Sequence, residues 1–156
     1  ALNSGADKVS INSKALEEPK FIRQASDKYG SSTIVASVEA KKISEFSWEP
    51  YKFCGREKTN RNLKDWIKII QDNGCGEIFL TSIDHEGTKK GFDLDMMDNL
   101  YKIIDKPIIL SGGCGSLDHI KKFNNKYSNE AFAIASVLHY KLLEIKNIKK
   151  IINEKN

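Results

Sequence analysis

The strongest constraint on the fold is a rhythm of short, β-branched apolar runs alternating with segments of helical spacing. The runs occupy residues 8–11, 33–38, 77–83, 107–110 and 131–134. Between and after them, apolar residues recur three and four apart: Phe21, Ile22 and Ala25; Leu63, Trp66, Ile67 and Ile70; Leu94, Met97 and Leu100; Leu143, Ile145, Ile148 and Ile151. A repeat of about 25–35 residues leaves room for one strand and one crossover helix, the connection that parallel strands require. The chain is therefore expected to form consecutive βα units on a parallel sheet. The second run is apolar enough for a strand covered on both faces, and it is expected to end on Glu39.

The unusual polar residues fall just after each run. They are Asn12 and Ser13, Glu39, residues 84–87, residues 112–115 and Ser136. Purely structural residues have no reason to gather at one end of every strand, whereas ligands of barrels and doubly wound sheets bind at the carboxyl ends. The clearest case is Ser111-Gly112-Gly113-Cys114-Gly115-Ser116, lying between Ile108-Ile109-Leu110 and a helical segment that runs through Phe123. Bare backbone N–H groups beside a helix N-terminus suit a phosphate. The same glycines are also explained as turn residues that need a positive φ. A faint repeat lays Asp7 to Ser13 on Glu130 to Ser136, as in a barrel of two similar halves.

Two stretches depart from the rhythm. Residues 42–62 turn polar and aromatic, and the alternation of Trp48, Tyr51 and Phe53 predicts a small hairpin packed on its aromatics, with its tip at residues 56–59. Residues 1–7 lack an initiator Met and read as a helix end capped by Gly5, so the 156 residues are expected to be the later part of a larger domain. Five parallel strands alone expose sheet edges, and self-association is the expected consequence.

Composition narrows the function. A net charge of +4, spread along helical faces, gives no nucleic-acid footprint. No apolar run approaches the ~18 residues of a membrane span. Cys54, Cys75 and Cys114 form no CxxC pair, and His85 and His139 have no companions at ligand spacing, so no disulfide framework or metal site is expected. A reducing cytoplasm is the default for such a chain.

Several ordered motifs resemble one family. Gly5-Ala6-Asp7-Lys8-Val9-Ser10-Ile11-Asn12-Ser13, Gly76-Glu77-Ile78-Phe79-Leu80-Thr81-Ser82-Ile83-Asp84, Gly87-Thr88, Gly91-Phe92-Asp93, the Ser111 to Ser116 turn and Ala135-Ser136-Val137-Leu138-His139 are similar to the cyclase subunit of imidazole glycerol phosphate synthase. The resemblance covers nearly the whole chain. It implies a TIM (β/α)8 barrel of about 250 residues, of which residues 1–156 look like a single partial domain running from the fourth strand to the C-terminus.

The resemblance also implies a reaction. A glutaminase partner in a heterodimer releases ammonia, which reacts with a phosphoribulosyl-formimino carboxamide ribotide to give imidazole glycerol phosphate and an aminoimidazole carboxamide ribotide. No cofactor is implied. Of the two carboxylates that act as acid and base, one belongs to the family's first strand and the other falls at Glu39; Glu86 is the second candidate catalytic residue here. At both positions the family usually carries Asp. Asn12 and Ser13 are placed at one substrate-phosphate site, and Thr81, Gly87, Gly112, Gly113 and Ser136 at the other. Lys8 and Glu77 match residues at the ammonia entry, although a plain salt bridge reads equally well. Two alternatives stand beside this one: a related paralogue in ammonia-dependent amidation of a surface-polysaccharide sugar, and a non-catalytic half-barrel that binds a phosphosugar.

Overall fold

A computed structural model describes residues 1–153. Five parallel strands form its centre: β1 (Val9–Ile11), β2 (Ile34–Ser44), β5 (Glu77–Ser82), β6 (Ile108–Ser111) and β7 (Ala131–Ala133), paired in that order. Two further strands, β3 (Ser47–Lys52) and β4 (Glu57–Lys58), fold back antiparallel beside the far half of β2. The expected parallel βα architecture is present, as an open sheet whose edges among the described residues are β1 and β4 on one side and β7 on the other.

The helices are α1 (Ser13–Glu17), α2 (Lys20–Tyr29), α3 (Leu63–Asp72), α4 (Leu94–Tyr101), α5 (Leu117–Lys126), α6 (Ser136–His139) and α7 (Ile145–Asn153). Local chemistry sets their starts. The side chains of Asn62, Asp93 and Ser116 accept from the backbone N–H groups of Lys64, Met96 and His119, which fixes the N-termini of α3, α4 and α5. Gly5, at φ 96°, caps a 3-10 turn at Leu2–Ser4, as its sequence suggests.

One face of the sheet is the core. Ala36, Val38, Ile78, Leu80, Ile108 and Leu110 pack there against Ile22, Ile67, Ile70, Met96, Met97, Leu100, Ile120 and Phe123 of the helices, all almost fully buried. The period of two then sends Ser37, Glu39, Phe79, Thr81, Ile109 and Ser111 to the opposite face, where each is half-buried. In a barrel wall the helix-covered face is the outer one and the uncovered face points inward, with ligand sites at the carboxyl ends of the strands.

Three expectations need correction. The second strand does not end on Glu39: it continues to Ser44, because β3 supplies hydrogen-bonding partners to its far half, with Glu39 opposite Tyr51 and Lys42 opposite Trp48. The tip of the excursion is not at residues 56–59, since Glu57–Lys58 is strand β4. The reversal comes earlier, at Phe53, Cys54 and Gly55, which all have positive φ. The last helix starts after Leu143, which precedes α7 instead of lying within it, because Lys141 at φ 54° reverses the backbone after the separate turn α6.

Between α4 and α5, Asp98 accepts from the Lys126 ammonium at 2.5 Å and from the Tyr127 hydroxyl. Burial pushes the Asp98 carboxyl up, but these two hydrogen bonds and the Lys126 charge outweigh it and hold the group below its ordinary value. A depressed carboxylate stabilises the fold above its unfolded value of about 3.9 and loses that contribution as pH falls through its folded value. The side chain is 44% exposed, so solvent screening keeps the effect below about 1 kcal/mol. Asp98→Asn is expected to lower the Tm slightly at pH 7, and the difference from the unmodified chain shrinks as pH falls through the depressed folded value, as measured by thermal denaturation.

Candidate functional site

The register of the parallel strands assembles the inner face. Glu39 lies directly beside Thr81, Thr81 beside Ser111, and Ser111 beside Ala133. Four strands thus contribute one transverse row at the carboxyl end of the sheet. Three of its members carry oxygen atoms, and the Gly112 turn and Ser136 follow immediately from its last two strands. Glu39 is unusual within this row, because its Oε2 is buried and has no hydrogen-bond partner among the described residues. The Asn12 side-chain nitrogen, at the end of β1, is in the same state. Leaving such atoms unsatisfied costs ~1–3 kcal/mol each, so a ligand that gives Glu39 a donor and Asn12 an acceptor recovers that energy.

At the far end of the row is a cavity of about 180 Å³ lined by Phe79, Glu86, Ser111, Gly112, Gly113 and Ser136, with Cys114 and residues 133–135 completing it. Its size suits one phosphate-like group better than a whole nucleotide, since pockets for larger ligands run from about 300 Å³ upward. Gly112 and Gly113 have φ of 100° and 93°. A Cβ on Gly113 would stand 2.0 Å from the Gly91 carbonyl oxygen, and one on Gly112 would stand 2.8 Å from that of Ser82. The glycines therefore let the 84–91 loop pack backbone to backbone on this turn, a role they fill whatever the cavity holds.

Two N–H groups around the N-terminus of α5 are taken up within the protein. The Gly115 N–H donates to His119 Nδ1 at 3.0 Å, and the His119 N–H donates to Ser116 Oγ at 3.4 Å. The cavity opens beside the start of α6, through Ser136.

The remaining candidates divide by position. Glu86 lines the phosphate-sized cavity, with its N–H held by the Ser82 carbonyl at 3.0 Å. Gly87 lies in the same loop at φ 73° with open space around its Cα. Asn12 and Ser13 sit on the other side of the mouth, three strand positions or about 14 Å from β6 at ~4.8 Å per strand. Ser13 Oγ is occupied: it accepts from the Phe53 N–H at 2.9 Å and contacts Asn12 Oδ1 at 3.3 Å, so the β3 hairpin rests on it. Lys8 and Glu77 form an ion pair at the opposite, amino end of the sheet, across the start of β2. Among the described residues no group of three or more His, Cys, Asp and Glu could hold a metal ion, and no helix is long and apolar enough to cross a membrane.

Sequence reading missed one buried polar group beneath this mouth. Asp93 caps α4, but its Oδ2 also accepts from Ser82 Oγ at 2.8 Å and from Trp48 Nε1 at 3.3 Å. The signal existed: strand alternation puts Ser82 on the core face with Ile78 and Leu80, and a buried hydroxyl there needs a partner.

Parallel βα units with polar groups gathered at the carboxyl ends define a protein of the (β/α)8-barrel class. The chain belongs to the histidine biosynthesis protein family, whose model matches residues 1–144. It is similar to the imidazole glycerol phosphate synthase subunit HisF of Bacillus cereus, with 39% identity over 155 residues, 99% of this chain and 62% of the relative. The corresponding subunit of Streptococcus mutans is 40% identical over 98% of this chain and 61% of its own length, and that of Streptococcus sanguinis 42% identical over 96% and 59%. The chain spans about 60% of the length of the curated relatives it matches.

Gly113→Ala combines a positive φ with a backbone collision. It is expected to destabilise the chain by about 3 kcal/mol, measured as a lowered urea midpoint.

Proposed function

We propose that this chain supplies the strand-four-to-C-terminus part of a cyclase subunit of imidazole glycerol phosphate synthase, as one partial barrel domain over residues 1–156. In that role it uses ammonia from a glutaminase partner in a cytoplasmic heterodimer. The ammonia reacts with a phosphoribulosyl-formimino carboxamide ribotide, giving imidazole glycerol phosphate and an aminoimidazole carboxamide ribotide. The observation that carries the reading is the in-register row of Glu39, Thr81 and Ser111, with an unpartnered carboxylate oxygen at one end and the Gly113 and Ser136 cavity at the other.

Glu39 acts as the general acid or base. Its free oxygen can take or give a proton at the reacting ring without first breaking a bond within the protein. Gly112, Gly113, Thr81 and Ser136 hold one substrate phosphate, and Asn12 and Ser13 hold another across the mouth, with Ser13 exchanging the Phe53 N–H for the ligand. Gly87 lets the loop approach the ligand closely. A carboxylate repels a phosphate, so Glu86 is assigned to the neighbouring polar part of the substrate. Ammonia made by a second subunit must enter at the end away from the mouth, where Lys8 and Glu77 lie. A full cyclase also needs a second carboxylate, which the family resemblance puts on a strand ahead of Ala1.

One observation favours a second reading. Glu39 and Glu86 stand where the family usually has Asp, and the extra methylene displaces each carboxylate by about one bond. Displacements near 1 Å can cost ~10²-fold in rate. A paralogue that delivers ammonia to a different phosphorylated acceptor, such as a surface-polysaccharide sugar, accommodates that change.

Complementation separates the readings. The open reading frame encoding this chain is expected to restore growth without histidine to a strain lacking the cyclase subunit. Glu39→Gln is expected to abolish that growth through a rate loss of about 10²–10⁴, while Glu39→Asp retains it. Growth that survives Glu39→Gln overturns the role given to Glu39.

A further inference from the structure

The 84–91 loop carries Glu86 and Gly87 and packs on Gly113, yet it is anchored from the opposite direction by the β2–β3 hairpin. Asp84 Oδ2 accepts from the Lys42 N–H at 2.7 Å, which fixes the start of the loop to the extension of β2. Asp93, only 4% exposed, fixes its end. Oδ1 caps α4 through the Met96 N–H at 3.0 Å, and Oδ2 receives both Ser82 Oγ and the Trp48 indole N–H. Trp48 is buried at 2% exposure, so its N–H cannot turn to water if Asp93 is lost.

From Asp93 two routes lead to the mouth. Through Ser82, the carbonyl that accepts from the N–H groups of His85 (3.3 Å) and Glu86 (3.0 Å) is the one that stands 2.8 Å from a Cβ on Gly112. Through the ring of His85, Nε2 lies 3.9 Å from Asp93 Oδ2 while Nδ1 donates to the Gly91 carbonyl at 2.8 Å. Gly91 in turn donates its N–H to the Gly113 carbonyl at 2.7 Å. The links are hydrogen bonds, apart from the 3.9 Å approach of His85 to Asp93 and the close packing of Gly112 on the Ser82 carbonyl, and neither Asp93 nor Trp48 lines the cavity of Gly112, Gly113 and Ser136.

We propose that Asp93 is a positioning residue for the anion mouth: through Ser82, His85 and Gly91 it fixes Glu86 and Gly113, and through Trp48 it makes that geometry depend on the hairpin being docked. The cap on α4 is then the lesser of its two functions. The proposal deepens the phosphate reading of the mouth and rests on it.

Asp93→Ser separates the two functions, because serine keeps a cap acceptor for Met96 but is too short to reach Ser82 and Trp48 as well. Trp48→Phe removes the indole N–H alone and guards against a misfolded Asp93 variant. Two readouts apply to the 156-residue chain: affinity for inorganic phosphate by titration calorimetry, and amide hydrogen exchange by residue. For Asp93→Ser, phosphate binding is expected to weaken about 10-fold, the size of one buried donor left unpaired. Exchange at His85, Glu86 and Gly91 rises, while Ile67 and Ile70 in α3 keep their rates. Trp48→Phe is expected to shift phosphate affinity and loop exchange in the same direction by a smaller factor. Unchanged phosphate affinity in both variants, or exchange that rises evenly through α3 and the loop, overturns the proposal. If the unmodified chain binds no phosphate, the phosphate reading falls, and loop-confined exchange still decides whether Asp93 fixes the loop.

Discussion

The site depends first on the parallel pairing of β2 with β5. Six consecutive residue pairs, from Val35 with Glu77 to Ala40 with Ser82, set the register. Because side chains alternate strictly, a slip of one residue would carry Glu39 to the helix-covered face and Val38 into the mouth. That slip would bury a carboxylate among Ile67, Ile70 and Leu80, a cost no local contact offsets. Apolar packing behind the sheet therefore fixes the polar row in front of it. The core residues Ala36, Val38, Ile78 and Leu80 touch no ligand, yet they determine where Glu39, Thr81 and Ser111 stand.

The second dependence runs through the hairpin. A parallel strand has only a few residues before its crossover, but β2 is eleven residues long because β3 pairs beside its far half. That extension does two things for the mouth. It rests on Ser13 through Phe53, and it reaches the 84–91 loop through Lys42 and Trp48. The excursion between the second and third βα units is thus a brace joining both sides of the mouth, with Trp48 buried beside Asp93 while Phe46 and Phe53 stay exposed.

These features were legible in the sequence to different degrees, for physical reasons. The five strands and their helices followed from periodicity and capping residues, because burial on one face leaves a strong local pattern in runs such as Glu77–Ser82 and Leu63–Asp72. The carboxyl-end position of Glu39 and Ser136 followed from the same pattern. The extension of β2 did not: residues 41–44 are exposed and, apart from Ile43, polar, and only pairing with a strand from later in the chain makes them extended. The late start of the last helix was hidden similarly, since Leu143 continues an apolar spacing while Lys141 reverses the backbone. An Asp just ahead of Leu94 is a cap signal, but such a signal is local and says nothing of Ser82 or of Trp48, 45 residues earlier.

The glycine turn shows where such reading stops. Its motif suggests a phosphate loop, and a cavity lies beside it and Ser136. Yet the contacts of Gly112 and Gly113 with Ser82 and Gly91 account for both glycines without a ligand. The two explanations are one arrangement seen from either side. A turn that must accept the backbone of a neighbouring loop has no side chains to fill its outer surface, and that lack leaves the cavity open. Close packing of the 84–91 loop behind the turn therefore accounts both for the glycines and for the open cavity in front of them.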